Sequence, residues 1–197
     1  MKPRIRFINC FCNSLEQSLK PKNYLFGVLV MLASTAAQAK SVAQQQAQES
    51  VDFFMKACVS SQAQPELINR FAQSNGFVEV TADNPRKAFL FKDAPGTLWA
   101  RQTQSGSYAL TSQYGGLCSV FARNADADVT QRILASWLPP KNSAFSVTTT
   151  TERKDDGMTL VVAHSISQNN QPYADWVVTT TTRANGLYQA AITYLKR

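Results

Sequence analysis

The apolar segment Tyr24–Ala39 limits how much of this chain is available to form a globular domain. It follows a basic leader and ends in Ala37-Gln38-Ala39, a small-residue exit that is typical of a secretory signal peptide. The apolar run is also shorter than the ~20 residues that a membrane-spanning helix needs. We therefore predict a signal peptide over residues 1–39, cleaved after Ala39, and a single mature domain over residues 40–197. An uncleaved N-terminal membrane anchor is the alternative.

Cleavage of the predicted signal peptide would remove most of the positive net charge of the chain. The full sequence has 20 basic and 13 acidic residues, a net charge of +7, but five basic residues and Glu16 lie in the leader. The remaining net charge of +3 is dispersed, so it does not form the basic patch that nucleic-acid binding requires. We predict no nucleic-acid partner and no stable membrane span after cleavage.

Two cysteines, Cys58 and Cys118, follow the predicted cleavage site, whereas Cys10 and Cys12 precede it. Exported chains fold in oxidising compartments, where a remaining pair of cysteines forms a disulfide. We predict a Cys58–Cys118 bond and a periplasmic or secreted protein. The alternative is a free nucleophilic or metal-binding thiol, although neither cysteine belongs to a Cys-x-x-Cys motif.

The hydrophobic pattern after Lys40 predicts two helices first, then strands, with a third helix in mid-chain. Apolar residues at helical spacing indicate a helix over residues 41–59 and a second one from Pro65 to Asn75-Gly76. Asp126 or Asp128 is placed to cap the third helix, and Pro139-Pro140 is placed to end it. Trp137 belongs to its predicted apolar face.

Short β-type runs separated by turn residues occupy the rest of the chain. The predicted strands are Ala88–Lys92, Thr97–Gln102, Ser107–Ser112, Gly116–Arg123, Ala144–Lys154, Met158–Ser167, Tyr173–Arg183 and Leu187–Lys196. Consecutive hairpins favour an antiparallel meander, so the predicted fold class is α+β, with two N-terminal helices and a third mid-chain helix packed on a largely antiparallel sheet. Each half of the chain reads as helix followed by four strands, which raises the hypothesis of an internal duplication.

The sequence contains no recognisable catalytic set. His164 is the single histidine, and alternation places it on the same strand face as Leu160, Val162 and Ile166. Asp126 and Asp128 fit a helix start, and Asp155-Asp156-Gly157 fits a hairpin turn. No phosphate-binding or metal-binding motif is present. We predict no catalytic residues, no cofactor and no metal site, with His164 as the remaining candidate acid or base.

Two features of the sequence suggest a binding surface. The first interleaves basic and aromatic residues; it comprises Arg86, Lys87, Phe91, Lys92, Trp99 and Arg101. Such a mixture suits an acidic partner surface, a polyanionic glycan or single-stranded nucleic acid, although export argues against nucleic acid. An amphipathic edge hairpin is the alternative explanation. The second is a pair of threonine runs, Thr148–Thr151 and Thr179–Thr182. Threonine suits exposed strands, so adjacent runs would line a flat polar face that could bind carbohydrate or the strand edge of another protein. The alternative is the solvated side of a sheet.

These observations favour an exported, non-catalytic binding protein of the bacterial-type cell envelope, such as an inhibitor, an immunity-type protein or a recognition module. It would act through a protein-binding surface, with another envelope or secreted protein as its partner. The alternative is an accessory or structural subunit of an envelope or secretion assembly, docked through its glutamine-rich first helix. A third hypothesis is an unfamiliar hydrolase that uses His164.

Overall fold

A computed structural model describes residues 40–81, 83–84, 95–155, 157–183 and 186–197. These residues form three α-helices, which are α1 (Val42–Phe53), α2 (Pro65–Ser74) and α3 (Ala127–Ser136). They also form eight strands, β1 (Val78–Glu79), β2 (Gly96–Gln102), β3 (Ser107–Gln113), β4 (Leu117–Ala122), β5 (Phe145–Lys154), β6 (Thr159–Gln168), β7 (Gln171–Thr181) and β8 (Ala190–Lys196). The predicted strand Ala88–Lys92 lies outside the described residues. No described helix combines the length and the apolar character needed to cross a bilayer.

Helix α1 begins at a capping box that the sequence encodes locally. The Ser41 hydroxyl accepts a hydrogen bond from the Gln44 N–H, and the Gln44 side chain accepts one from the Ser41 N–H. The helix continues into a π-helical turn over Phe54–Val59, after which the Ser60 N–H donates to the carbonyl of Met55, five residues earlier. The sequence predicts one helix through Val59. In the structure the helix covers that span, but its last six residues form a π-helical turn instead of an α-helix.

The other two helices begin where their capping residues predict, but α3 ends at Ser136, before the predicted stop at Pro139-Pro140. Pro65 occupies the first turn of α2, where its missing N–H removes no helical hydrogen bond. Asp126 caps α3 by accepting from the Val129 N–H at 2.9 Å. Trp137 is predicted on the apolar face of this helix, but it follows the last residue of α3 and is 51% exposed.

The sheet is entirely antiparallel and consists of two four-stranded meanders, the first formed by β1–β4 and the second by β5–β8. Its strand order is β1-β2-β3-β4-β8-β7-β6-β5, so the final strand of one meander pairs with the final strand of the other. Six residue pairs, from Leu117↔Leu195 to Ala122↔Ala190, join β4 to β8. Each meander forms through local hairpins, whereas the β4–β8 pairing brings together residues more than 60 positions apart.

The core lies between the helices and one face of this sheet, which we call the helix-side face. Alternation places Leu110, Cys118, Val120, Ile192 and Tyr194 on that face, and all are at least 99% buried. From the helices, the fully buried Val51, Phe54, Cys58, Ile68 and Leu134 pack against them. The architecture is therefore α+β, as predicted.

The disulfide joins the helical layer to the centre of the sheet. Cys58 lies in the π-helical turn and Cys118 in β4, and their Cα atoms are 5.4 Å apart. The Phe54 ring, in the same turn, packs edge-on against Trp176 of β7 at a centroid distance of 5.6 Å. The predicted Cys58–Cys118 bond is confirmed, and it is consistent with an oxidising compartment.

A polar network joins the first helix to the β2–β3 hairpin. The Glu49 carboxylate accepts hydrogen bonds from Thr103, Ser105 and Tyr108 at 2.8–3.0 Å. Burial and this carboxylate raise the pKa of the Tyr108 hydroxyl, which keeps it protonated as a donor. The charged acceptor is thereby satisfied at three points, which anchors α1 to the sheet.

Gln46 provides a second connection in the same region. Its fully buried side chain donates to the Ser107 carbonyl at 3.1 Å and accepts from the Asn124 N–H at 2.7 Å. This side chain passes directly beside Gly106, where φ is +145° and a Cβ atom would lie 2.3 Å from Gln46 Nε2. Only glycine fits there, for both conformational and steric reasons.

Reduction of the Cys58–Cys118 disulfide should lower the melting temperature substantially. A crosslink that spans 60 residues restricts the unfolded chain, which corresponds to about 4 kcal/mol on the chain-entropy model. For a domain of this size we expect a fall of roughly 8–16 °C. Calorimetry with and without reductant measures it, and the double variant Cys58→Ser with Cys118→Ser controls for direct effects of the reductant. An unchanged melting temperature on reduction would contradict the prediction.

Replacement of Gly106 by alanine should destabilise the protein more than the same change at Gly157. Both glycines have positive φ, but a Cβ atom at Gly157 would meet nothing within 4 Å. Gly157→Ala should therefore cost about 1 kcal/mol of backbone strain, whereas Gly106→Ala also displaces the buried Gln46 amide and should cost at least about 3 kcal/mol. Urea unfolding of both variants tests the difference; equal losses would contradict the role assigned to Gln46.

Candidate protein-binding surface

The structure divides the predicted basic and aromatic patch. Trp99 on β2 is 5% exposed and faces α2, where its indole N–H donates to Asn69 at 3.1 Å. Arg101 lies two residues further along the same face, with its guanidinium 5.2 Å from the Phe53 ring centroid. Trp99 is thus a core residue, unavailable to a partner in this conformation. Arg101 is half-buried. The patch residues Arg86, Lys87, Phe91 and Lys92 lie outside the described residues.

The two threonine runs lie on strands that are separated by β6. Thr148–Thr151 belongs to β5, and Thr179–Thr181 belongs to β7, with Thr182 just beyond its end. Both strands pair with β6, so the runs do not form a single row of hydroxyl groups on neighbouring strands. The adjacency on which that hypothesis depends is absent from the described sheet.

Strand β5 is the most exposed of the longer strands in the described chain. Phe145 and Val147 are half-buried near its start, where Phe145 packs edge-on against Tyr173 at 5.4 Å. From Thr148 to Lys154 every residue is exposed, whichever face of the sheet its side chain occupies. A sheet covered on one side would alternate between buried and exposed residues. The helical layer therefore does not extend over this strand.

The second face of the sheet, opposite the helices, is polar toward β5. In successive strands Thr148 lies opposite Ser165, and Ser165 lies opposite Asp175. The Asp175 carboxylate forms an ion pair with the side chain of Arg197. Further along, Ser119 of β4 and Thr193 of β8 share a hydrogen bond of 2.9 Å across the junction of the two meanders. Hydroxyl side chains thus occur at the edge and at the centre of this face, with Ala163 and Val177 between them.

His164 lies beneath the margin of the helical layer. It is 6% exposed, it pairs across the strands with Thr149 and Trp176, and its Nδ1 atom lies 2.9 Å from the Thr149 hydroxyl. Burial lowers the pKa of this histidine, because the apolar surroundings disfavour the charged imidazolium. The imidazole therefore belongs to the packed side of the sheet, as its alternation with Val162 and Ile166 predicts.

A cavity of about 480 Å³ opens on the second face of the first meander. Leu98, Ala109, Phe121 and Tyr188 contribute to its apolar wall, and Arg123 lies at its edge. Its volume is within the range of small-ligand sites. Among the described residues, no group of three or more histidine, cysteine or acidic side chains is arranged to hold a metal ion.

The glutamine-rich start of α1 is built into the core rather than left free. Gln46, Ala47 and Ser50 are fully buried between α3 and the sheet, whereas Val42 is 59% exposed. A shallow groove beside this end of α1 is lined by residues of α1 and α3 that include Gln44, Gln48 and Ile133. The helix therefore presents only one face to a partner, and its removal would open the core.

Comparisons with models of known protein families, with curated proteins and with solved structures produced no match for this chain. Sequence reasoning identified the threonine runs but not the isolation of β5. That isolation depends on strand order, and the signal in the sequence was limited to an unbroken ten-residue strand without Pro or Gly.

Acidification should destabilise the protein through His164. The pKa of the folded-state imidazole lies below its ordinary value of 6.5, so the unfolded chain binds the proton more readily. This contribution to stability is complete above pH 6.5 and is lost as the pH falls toward the folded-state pKa. The slope is at most about 1.4 kcal/mol per pH unit for one proton.

Urea unfolding between pH 5 and pH 7.5 measures this slope. Because the chain has one histidine, His164→Gln should flatten the dependence in that range. Thr149→Val, which removes the neighbouring hydroxyl and keeps the imidazole, should retain it. An equal slope in wild type and His164→Gln would contradict the assignment.

Proposed function

We propose that this chain is an exported, non-catalytic binding protein of a bacterial-type cell envelope, which recognises another envelope or secreted protein. Residues 1–39 serve as its signal peptide in this proposal, and the protein acts in the periplasm or outside the cell. The observation that supports it best is the exposed end of the sheet, where β5 and the neighbouring second face offer a flat polar surface on a rigid, disulfide-linked scaffold.

The character of this surface favours a protein partner. Threonine and serine hydroxyls donate and accept hydrogen bonds without the desolvation cost of a charge, and strands hold them at fixed spacing. The fold behind the surface is tied to the helices by the Cys58–Cys118 bond and by the Glu49 network, so little order must be gained on binding. Inhibitors, immunity-type proteins and recognition modules all use preorganised surfaces of this type.

An accessory or structural subunit of an envelope or secretion assembly is the second candidate. It is favoured by the groove between α1 and α3, which adjoins Lys40 at the proposed cleavage site and carries Arg132 on its rim. In that case the helical side, and not the β5 side, would contact the assembly. A hydrolase that uses His164 would need this buried imidazole to reach a substrate.

Affinity capture from native envelope extract, followed by mass spectrometry and calorimetry with the purified partner, tests the proposal. Replacing Thr148 and Thr150 by lysine places two charges on the second face of β5 and should weaken binding at least about tenfold. The matched control replaces the exposed Gln64 and Gln73 of the α2 region by lysine, which adds the same charge elsewhere. The failure to recover any partner at micromolar concentrations would refute the binding-protein function.

Equal binding by the two double-lysine variants would place the contact elsewhere on the molecule. A variant of the α1–α3 groove, Arg132→Glu, then distinguishes the second candidate. Loss of binding in Arg132→Glu alone would favour the assembly subunit over the β5-directed module.

A further inference from the structure

The two edges of the sheet differ in length and in protection. At one edge, β1 contains only Val78 and Glu79. At the other edge, β5 contains ten residues and pairs through all ten with β6, with no register shift. Edge strands in natural proteins are usually short, bulged, interrupted by proline or charged along their length, because an open edge accepts another strand. Within the described sheet, β5 is the edge that lacks these protections over Val147–Thr151.

The hydrogen-bond register shows which backbone groups of β5 point outward. The Asn169 N–H donates to the Ala144 carbonyl at 3.0 Å, so Ala144 and each second residue after it face β6. The intervening residues direct their N–H and C=O groups away from the sheet. Phe145 confirms this alternation, because both its backbone groups lie within 3.4 Å of the Ser143 hydroxyl instead of a strand.

Four consecutive outward-facing residues follow Phe145; they are Val147, Thr149, Thr151 and Arg153. Their eight backbone groups form no ladder within the described chain, where β5 pairs with β6 alone. The side chains from Thr148 onward are exposed on both faces, so a new strand would displace nothing there. We infer that β5 is a strand-addition site, at which an extended segment of a partner protein continues the sheet. This inference depends on the proposed binding function and specifies its mode.

The charges at the end of β5 define the chemistry of that segment. Glu152 pairs with Lys154 on the second face at 3.2 Å, whereas none of the described acidic residues pairs with the exposed Arg153 on the helix-side face. An incoming strand with an acidic residue opposite Arg153 would match this charge. Its other positions would face Val147, Thr149 and Thr151, which suit β-branched residues. The partner segment is therefore extended, rich in β-branched residues and acidic near one end.

A second copy of this chain fits the edge less well. When two β5 strands pair antiparallel through their outward-facing residues, every register of at least five residue pairs places Arg153 opposite Phe145, Val147, Thr149 or Thr151 or beyond the start of the partner strand. No such register places Glu152 opposite a basic residue. Antiparallel self-pairing therefore gains no ion pair, whereas an antiparallel segment of a different chain with an acidic residue does.

Thr151 offers a substitution that removes one outward N–H and leaves the β6 ladder intact. Thr151→Pro deletes this donor at an edge position, where proline is tolerated, whereas Thr151→Val keeps the donor and the β-branched shape. Both variants are made in full-length protein that carries a photo-reactive benzoylphenylalanine at the neighbouring Thr150. Cross-linking is then carried out in the native envelope, with the same probe at Glu66 of α2 as the control position.

We expect one adduct from the Thr150 probe, absent from the Glu66 probe, whose cross-linked peptide is an extended β-branched segment with an acidic residue. Its yield should be retained in Thr151→Val and should fall at least about tenfold in Thr151→Pro. Arg153→Glu should lower the cross-linking yield about two- to fivefold, the range of an exposed ion pair. Arg153→Lys keeps the positive charge and should retain the yield seen with Arg153. Both Thr151 variants should melt within about 4 °C of each other, which confirms that folding is unaffected.

Three results would overturn strand addition. They are an adduct unaffected by Thr151→Pro and by Arg153→Glu, an adduct between two copies of this chain, and the absence of any adduct at Thr150. The proposed function fails separately. If affinity capture still recovers a partner when the Thr150 probe gives none, the protein is a binding protein that uses another surface; if neither method recovers a protein, the binding function itself is refuted.

Discussion

The antiparallel pairing of β4 with β8 is the interaction on which the rest of the structure depends. Each meander alone would leave two open edges. Their junction produces one continuous helix-side face, with Cys118 and Val120 of β4 beside Ile192 and Tyr194 of β8. The helices pack over this centre, and the Cys58–Cys118 bond fixes the layer at the same place.

The central position of the helices explains why the ends of the sheet differ from its middle. Three helices suffice to bury β3, β4, β8 and β7, but the layer stops above β6, where His164 lies at its margin. Strand β5 therefore remains attached through its ladder to β6 while its side chains meet solvent on both faces. The same geometry that completes the core leaves one long edge unpaired, and the proposed recognition surface is a consequence of it.

The two halves share a topology, although the first meander begins with Val78–Glu79, a strand that the hydrophobic pattern does not predict. Each half is helical first and then forms a four-stranded meander, and the last strands of both meet at the hydrogen-bonded pair Ser119 and Thr193. The first half uses two helices and a π-helical turn, whereas the second uses α3 alone. This unequal cover accounts for the contrast between the packed first meander and the exposed β5. The internal duplication itself stays a hypothesis, since topology does not establish descent.

The sequence by itself determined the local elements, because capping residues, turn residues and hydrophobic period act over a few positions. It therefore predicted a cap at Asp126 or Asp128, the Pro65 start, the hairpins from β2 onward and the disulfide between the two remaining cysteines. It did not decide which face of a strand the helices would cover, so Trp99 was assigned to a surface although it packs against Asn69 of α2. Only the tertiary structure decided the β4–β8 pairing, the separation of the threonine runs by β6 and the open edge of β5. These features depend on contacts between residues far apart in the chain, for which periodicity carries no information.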